Sequence, residues 1–210
     1  MLRAGSAPKR AAILAAAREL FLTDGFERAS VDAVAARAKV SKRTVYDYFG
    51  DKQRLLVAVV DEAAGRLLTG VHDAIERELT GATDLERALI AFARRLAAGT
   101  IGSSDYVAVR RLLATESTHT PELLALWAST APEDALAEQI AELDRRGLLH
   151  APDPRLAADH FVGLTFTVVM DRSSDESLQP GLTADAEYRI VEGVRAFLRA
   201  YATESGRNDA

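Results

Sequence analysis

The 210-residue chain contains no cysteine, so no disulfide can staple it and no thiolate can hold a metal. No apolar run approaches the roughly 20 residues that a membrane span requires. The N-terminus, MLRAGSAPKR, carries cations, but Arg18 and Glu19 interrupt the alanine-rich segment behind it. With no apolar h-region, a secretory signal is not expected. There is no GxGxxG, no P-loop and no nucleophile elbow. His72, His119, His150 and His160 are scattered without an H-x-x-x-H pair, and the neighbours Asp159 and His160 face different ways on a helix. These absences argue against disulfide scaffolds, membrane spans, zinc sites and the common nucleotide and hydrolase chemistries. The expectation is a cytoplasmic protein that is not an enzyme, with no cofactor and no metal-binding or catalytic residues.

The formal net charge is −5, which alone argues against a polyanionic partner. Its distribution reverses that reading. Residues 1–54 carry 11 lysines and arginines against 6 acids, a local charge of +5; the rest carries 15 against 25, or −10. One part of the chain is suited to approach a polyanion and the other is not.

What the chain does contain is helical periodicity nearly everywhere. Ile13, Ala16, Ala17, Leu20 and Phe21 recur on one face of a helix ending near Gly25. Ser30 is an N-cap for a second helix with Val31, Val34 and Ala35 inward. Ser41 caps a third, with Val45 and Phe49 on one face and Gly50 at its left-handed end. Asp51 caps a fourth that extends to about Thr80, although Gly65 and Gly70 weaken it by roughly 1 kcal/mol each relative to alanine. Thr83 with Glu86 forms a capping box for a helix to about Ala98, and Gly99 and Gly102 flank the break after it. Further helices are expected from Ser104, from Thr120-Pro121, from Thr130 with Glu133 to near Gly147, from Asp153-Pro154, and from Thr183 to about Tyr201. Phe166 to Val169 reads as helix rather than strand, because Leu156, His160, Leu164 and Val168 continue an i+4 row. The expected class is all-α with about nine or ten helices, a polar loop at 171–182 and a disordered tail at 204–210. The acids Glu133, Asp134, Glu138, Glu142 and Asp144 read as a solvated face.

The stretch SVDAVAARAKVSKRTVYDYFGDKQRLL, residues 30–56, has the make-up of a helix-turn-helix. Such a unit places its second helix in the major groove, about 12 Å wide, while the first crosses the backbone. It needs a short turn, an apolar rear face and a polar, basic front. Here the turn is Ala38-Lys39-Val40, and Val40 and Val45 form the rear face against Val34 and Leu20. The front carries Lys42, Arg43, Thr44, Tyr46, Asp47 and Tyr48. Thr44 suits a thymine methyl or a phosphate, Tyr46 a base edge or the backbone, and Arg43 guanine O6 and N7. Lys42, Tyr48 and Lys52 suit phosphates, Lys52 with the added attraction of a helix N-terminus. With Ser30, Lys39 and Ser41, these residues (Asp47 excepted) form the candidate DNA-contacting set.

The segment AAILAAARELFLTDGFERASVDAVAARAKVSKRTVYDYFGDKQRLLVAVV resembles the DNA-binding domain of the TetR family of bacterial transcriptional regulators. The likeness rests on Leu20-Phe21, Gly25-Phe26, Ser30-Val31, Val40-Ser41-Lys42, Thr44-Val45-Tyr46, Tyr48-Phe49 and Lys52. It implies that Thr44, Tyr46, Tyr48 and Lys52 contact operator DNA. In the family a glycine with φ > 0 usually stands where this chain has Lys39; a lysine there costs on the order of 1 kcal/mol and adds a cation near the DNA backbone. Farther on, RRLLATESTHTPELLALW followed by DPRLAADHFVGL resembles the C-terminal domain of AcrR/AefR-like members.

The resemblance implies residues 1–54 as the DNA-binding domain and 55–203 as an effector-binding and dimerisation domain. Its partners would be double-stranded operator DNA, a second copy of the chain and a small-molecule effector. Two helices per subunit would form the dimer seam: Leu156, His160, Leu164 and Val168 on one, and Ile190, Val191, Val194, Phe197, Leu198 and Tyr201 on the other. The same stripes also suit an intrachain core. Candidate pocket residues are Tyr106, Arg110, Leu113, His119, Leu123, Trp127, Phe161, Thr165 and Phe166, for each of which ordinary core packing is an equal reading. Arg110 suits an anionic ligand, or Glu116 or Asp105 nearby. The family implies that effector binding shifts the fourth helix, parts the two reading heads and releases DNA. The resulting expectation is a ligand-responsive repressor. The alternative is an architectural or cell-division factor of the same fold without an effector.

Overall fold

Each helix that the sequence marks with a polar cap begins where a side chain satisfies an otherwise orphaned backbone N–H. In the computed structural model the described residues are 6–101, 113, 123, 125, 132–167 and 182–208. Among them the chain is all-α, with nine α-helices and two π-helical turns. In chain order the helices are α1 (Ser6–Thr23), α2 (Val31–Arg37), α3 (Lys42–Phe49), α4 (Lys52–Ala74), α5 (Leu85–Ile101), α6 (Pro132–Arg145), α7 (Pro154–Val162), α8 (Ala184–Tyr201) and α9 (Glu204–Asn208). The π turns are Ile75–Leu79, continuing α4, and Gly163–Thr167, continuing α7. No described helix is long and apolar enough to cross a membrane. The helices expected from Ser104 and Thr120-Pro121, apart from the helical residues 113, 123 and 125, and the loop 171–181 lie outside the described residues.

The chain divides into two units, Met1–Arg66 with Asp105–Thr130, and Leu67–Ser104 with Ala131–Ala210. Helix α4 gives its first turns to the first unit. Leu55, Leu56, Val59 and Val60 are fully buried there with Ile13, Leu14, Phe21, Val34 and Val45. An eight-residue helix such as α3 is not stable in isolation, and it is this apolar cluster that holds it. In the second unit Phe161 meets Phe197 edge-on at 5.2 Å and lies 5.9 Å from Phe92, among Leu89, Leu136, Ile140 and Val194. Exposed ion pairs trim this core: Arg94 with Glu187, and Arg195 with both Glu86 and Glu192.

Several boundaries differ from expectation, each for a local reason. Asp84, not Thr83, caps α5, its carboxylate accepting from Arg87 N at 2.9 Å. A carboxylate is favoured there by the helix dipole, and Glu86 reaches Arg195 instead of completing a capping box. Helix α5 then runs through Gly99 to Ile101. Asp144 is not merely solvated: it accepts from Ala151 N at 2.8 Å and closes the turn after α6. Residues Glu204–Asn208 of the tail form the short helix α9. Thr203 donates to Gly147 O at 2.6 Å and accepts from Gly206 N at 3.1 Å, which starts α9. His150 N donates to Tyr201 O at 2.7 Å, pinning the same segment.

Helix α8 passes close to the π turn at Gly193. A Cβ there would stand 2.3 Å from Leu164 O and 2.9 Å from Leu164 C, both backbone atoms of the π turn. Gly193→Ala is expected to lower stability by about 1–3 kcal/mol through overpacking. Gly70→Ala, where an added Cβ meets nothing within 4 Å, is expected to raise it by up to about 1 kcal/mol. Denaturant midpoints of the two variants check this; shifts of the same sign would contradict the close crossing.

Candidate nucleic-acid interface

Two serine caps and one strained turn orient the exposed face. Ser30 Oγ accepts from Ala33 N at 3.0 Å and starts α2. Ser41 Oγ accepts from Thr44 N at 3.0 Å, starting α3, and lies 2.8 Å from Thr44 Oγ1. A cap uses the serine oxygen as acceptor and leaves the hydroxyl proton for another acceptor such as a phosphate. Between the caps, Val40 N donates to Ala35 O at 3.0 Å and Lys39 N to Ala36 O at 3.2 Å. This tight reversal holds Lys39 at φ 55°, the only described non-glycine residue with positive φ. The lysine thus adopts the backbone conformation that glycine would take without strain.

Val45 and Phe49 are buried, so α3 turns Lys42, Arg43, Tyr46 and Asp47 outward, with Thr44 and Tyr48 half-buried at the edges. Val40 is half-buried and packs against the same core as Val34 and Leu20. The exposed cations are tethered rather than loose. Lys42 Nζ donates to Asp32 at 2.8 Å, and Arg43 Nε stands 3.9 Å from Asp47. The hydrogen bond to Asp32, and then its charge, raises the Lys42 ammonium above the ordinary lysine range. Lys42 is therefore protonated throughout the neutral range. Any stability from the pair is present below the unfolded lysine pKa and is lost only as pH rises through the raised value.

Lys52, in the first turn of α4, is half-buried. Its Nζ lies 4.4 Å from the centroid of the Phe26 ring and donates to Glu27 O at 3.1 Å. Asp51 caps α4 by accepting from Arg54 N at 2.7 Å. The helix terminus and the family resemblance both pointed to Lys52, but neither showed its aromatic seat. Arg10 is another unpredicted neighbour, its guanidinium 5.6 Å from the centroid of the Phe49 ring.

The pattern of bacterial regulatory proteins of the tetR family matches residues 13–59, and that of the AefR-like transcriptional repressor C-terminal domain matches residues 87–203. The chain belongs to the TetR family of bacterial transcriptional regulators. It is a DNA-binding regulator with a helix-turn-helix. It is similar to a TetR-family structure from Mesorhizobium loti, with a TM-score of 0.88 and 29% identity over 97% of this chain and all of the other. A flavonoid-responsive regulator, FrrA, is 30% identical with a TM-score of 0.68 over 93% of this chain and 98% of its own. The transcriptional activator FasR of Mycolicibacterium smegmatis is 34% identical over 84 residues, 40% of this chain and 38% of that protein. The chain thus spans well under half of that curated relative.

In the second unit, the regulator redistributes the residues expected at a dimer seam. Ile190, Val194, Phe197 and Leu198 are buried in the chain's own core and are not available at the surface. The stripe is real, but the intrachain helices cover it. Leu156 and Leu164 are 48% and 39% exposed, His160 is exposed, and Val191 and Tyr201 are half-buried. His160 Nδ1 lies 2.6 Å from the Tyr201 hydroxyl. Tyr188, 66% exposed on α8, was missed by a periodicity search for apolar stripes. Val168 lies outside the described residues, as do Tyr106, Arg110, His119 and Trp127 of the expected pocket. Among the described pocket candidates, Leu113 and Leu123 are buried in the first core, Phe161 is fully buried and Phe166 half-buried in the second, and Thr165 is fully buried. Thr165 donates to Phe161 O at 2.7 Å, so its hydroxyl is used within the helix.

Two outcomes follow from this geometry. Lys39→Gly is expected to stabilise the protein by about 1 kcal/mol by relieving positive φ, and to flatten the salt dependence of DNA binding by about one unit of slope if Lys39 meets a phosphate. Thermal unfolding and binding titrations at several salt concentrations separate the two effects. Lys52→Ala is expected to reduce the same slope by about one unit with sequence preference unchanged; an unchanged slope would remove Lys52 from the contacts.

Proposed function

We propose that the regulator works as a homodimeric, ligand-responsive repressor in the cytoplasm, binding a palindromic operator with one α3 in each of two major grooves. The observation that carries this reading is the division of α3 between a buried Val45–Phe49 edge and an outward face of Lys42, Arg43 and Tyr46. Hydroxyls on Ser30, Ser41 and Thr44, with the cations Lys39 and Lys52, surround that face and suit phosphates. One such unit binds too few phosphates for useful specificity. Pairing across half-sites about 34–36 Å apart supplies the rest.

The exposed apolar residues Leu156 and Leu164 on α7 and its π turn, with Tyr188 on α8, support a seam with a second copy. Repression is supported by the AefR-like repressor pattern over residues 87–203, and an effector by the name of the flavonoid-responsive relative. Helix α4 supplies Leu55 to Ala63 to the first core and Ala74 to the second. A ligand that displaced this helix would change the placement of α3. The sign of regulation is set by where the operator lies, and FasR is an activator.

Selection of bound duplexes from a random pool, followed by a screen for compounds that release the enriched sequence, tests the reading. A palindrome and a releasing compound are expected; a non-palindromic site would contradict dimeric reading. The double substitution Leu156→Glu, Leu164→Glu is expected to convert a dimer of twice 22.7 kDa to the 22.7 kDa monomer and to weaken operator binding at least tenfold, a loss of about 1.4 kcal/mol or more. Sedimentation equilibrium checks the mass, and a dimer that survives both changes would place the seam elsewhere.

A further inference from the structure

On α3, the residue aimed most directly away from the core is an acid. Successive helical residues turn by about 100°, so Asp47 lies about 160° from both Val45 and Phe49, the buried pair. Its side chain is 66% exposed, and that of Arg43, one turn earlier, is 90% exposed with Nε 3.9 Å away. On a helix that meets a polyanion, a carboxylate at the leading edge opposes every phosphate contact. It gains only from a donor on a base edge.

The major groove offers few such donors. An ionised carboxylate can only accept, and the amino groups available are cytosine N4 and adenine N6. Adenine places its N7 acceptor beside N6, which repels a carboxylate; cytosine has a C–H at the corresponding place. Guanine O6 and N7 and thymine O4 are acceptors and repel it as well. Arg43 has the opposite preference and donates to guanine O6 and N7. The two side chains therefore present an acceptor and a donor side by side, matched to neighbouring cytosine and guanine edges.

We infer that Asp47 is a specificity-determining residue that selects cytosine at one position of each half-site, with Arg43 reading guanine beside it. This rests on α3 being the helix that reads DNA. The same carboxylate weakens binding to random sequence, because non-specific contacts are dominated by phosphates. Asp47→Asn replaces an acceptor with a donor–acceptor pair that fits adenine N6 and N7. That substitution changes the base preferred, which a merely structural role for Asp47 would not do.

The experiment uses the full chain, as wild type, Asp47→Asn, Asp47→Ala and Arg43→Ala, each selected against random duplex DNA at one salt concentration. Affinities for single-position variants of the enriched site follow. Wild type is expected to prefer cytosine at one position by about tenfold. Asp47→Asn should move that preference to adenine and leave the other positions alone. Asp47→Ala should lose it and bind random DNA several-fold more tightly. Unchanged base preferences in both Asp47 variants, with Arg43→Ala still altering one position, would overturn the inference while leaving α3 as the reading helix. No enriched sequence for wild type, or no altered position in any variant, would overturn both. The exposure of Asp47 favours folded variants, and matching unfolding midpoints verify it.

Discussion

The insertion of Val45 and Phe49 into the first core is the interaction on which the DNA-facing surface depends. An eight-residue helix has too few internal hydrogen bonds to hold itself. Its rotation is set by whichever residues the core accepts. Once those two are buried, Lys42, Arg43, Tyr46 and Asp47 have no direction left but outward. The turn before α3 contributes by holding Lys39 at φ 55°, and that strain is acceptable only because the core on either side is well packed. Phe49 also carries the Arg10 guanidinium on its ring, so the apolar anchor is in contact with the charged surface.

Exposed charges on this face are arranged in pairs, Lys42 with Asp32 and Arg43 with Asp47. Exposed pairs of this kind contribute little to stability and exchange readily for phosphates. They do limit the net attraction to any duplex, which matters in a genome full of non-specific sites. Lys52 is held differently, between an aromatic ring and a backbone carbonyl, so its ammonium is already positioned at the N-terminus of α4. Positive charge is thus concentrated by position rather than by number, consistent with a chain whose overall charge is −5.

Local chemistry was legible in the sequence at most positions where one side chain decides a backbone feature, the cap of α5 at Asp84 and the turn closed by Asp144 being exceptions. The caps at Ser30, Ser41, Asp51, Asp153 and Thr183 all accept the expected N–H, and the positive φ at Lys39 was implied by the glycine that the family usually places there. What was not legible depends on neighbours distant in sequence. The stripe from Ile190 to Leu198 has the spacing of a seam, yet periodicity shows only that a face is buried, not what covers it. Here Phe161, Phe92 and the rest of the second core cover it. The helix in the tail gave no signal because its anchor, Thr203, bonds to the Gly147–Leu148 backbone, about 55 residues earlier. The π turns carry no simple residue signature, and Tyr188 gave no signal because a lone exposed aromatic does not alter a helical pattern.

The absence of cysteine makes a direct test of the reading surface possible. Gln53→Cys, on the exposed first turn of α4 beside Lys52, gives the chain a single thiol to which an iron chelate that cleaves DNA can be attached. Bound to an enriched operator, the labelled protein should cut at two sites related by the operator's symmetry and about one helical turn apart. Absent or evenly spread cutting, under conditions where the operator remains bound, would contradict the placement of this face against the duplex.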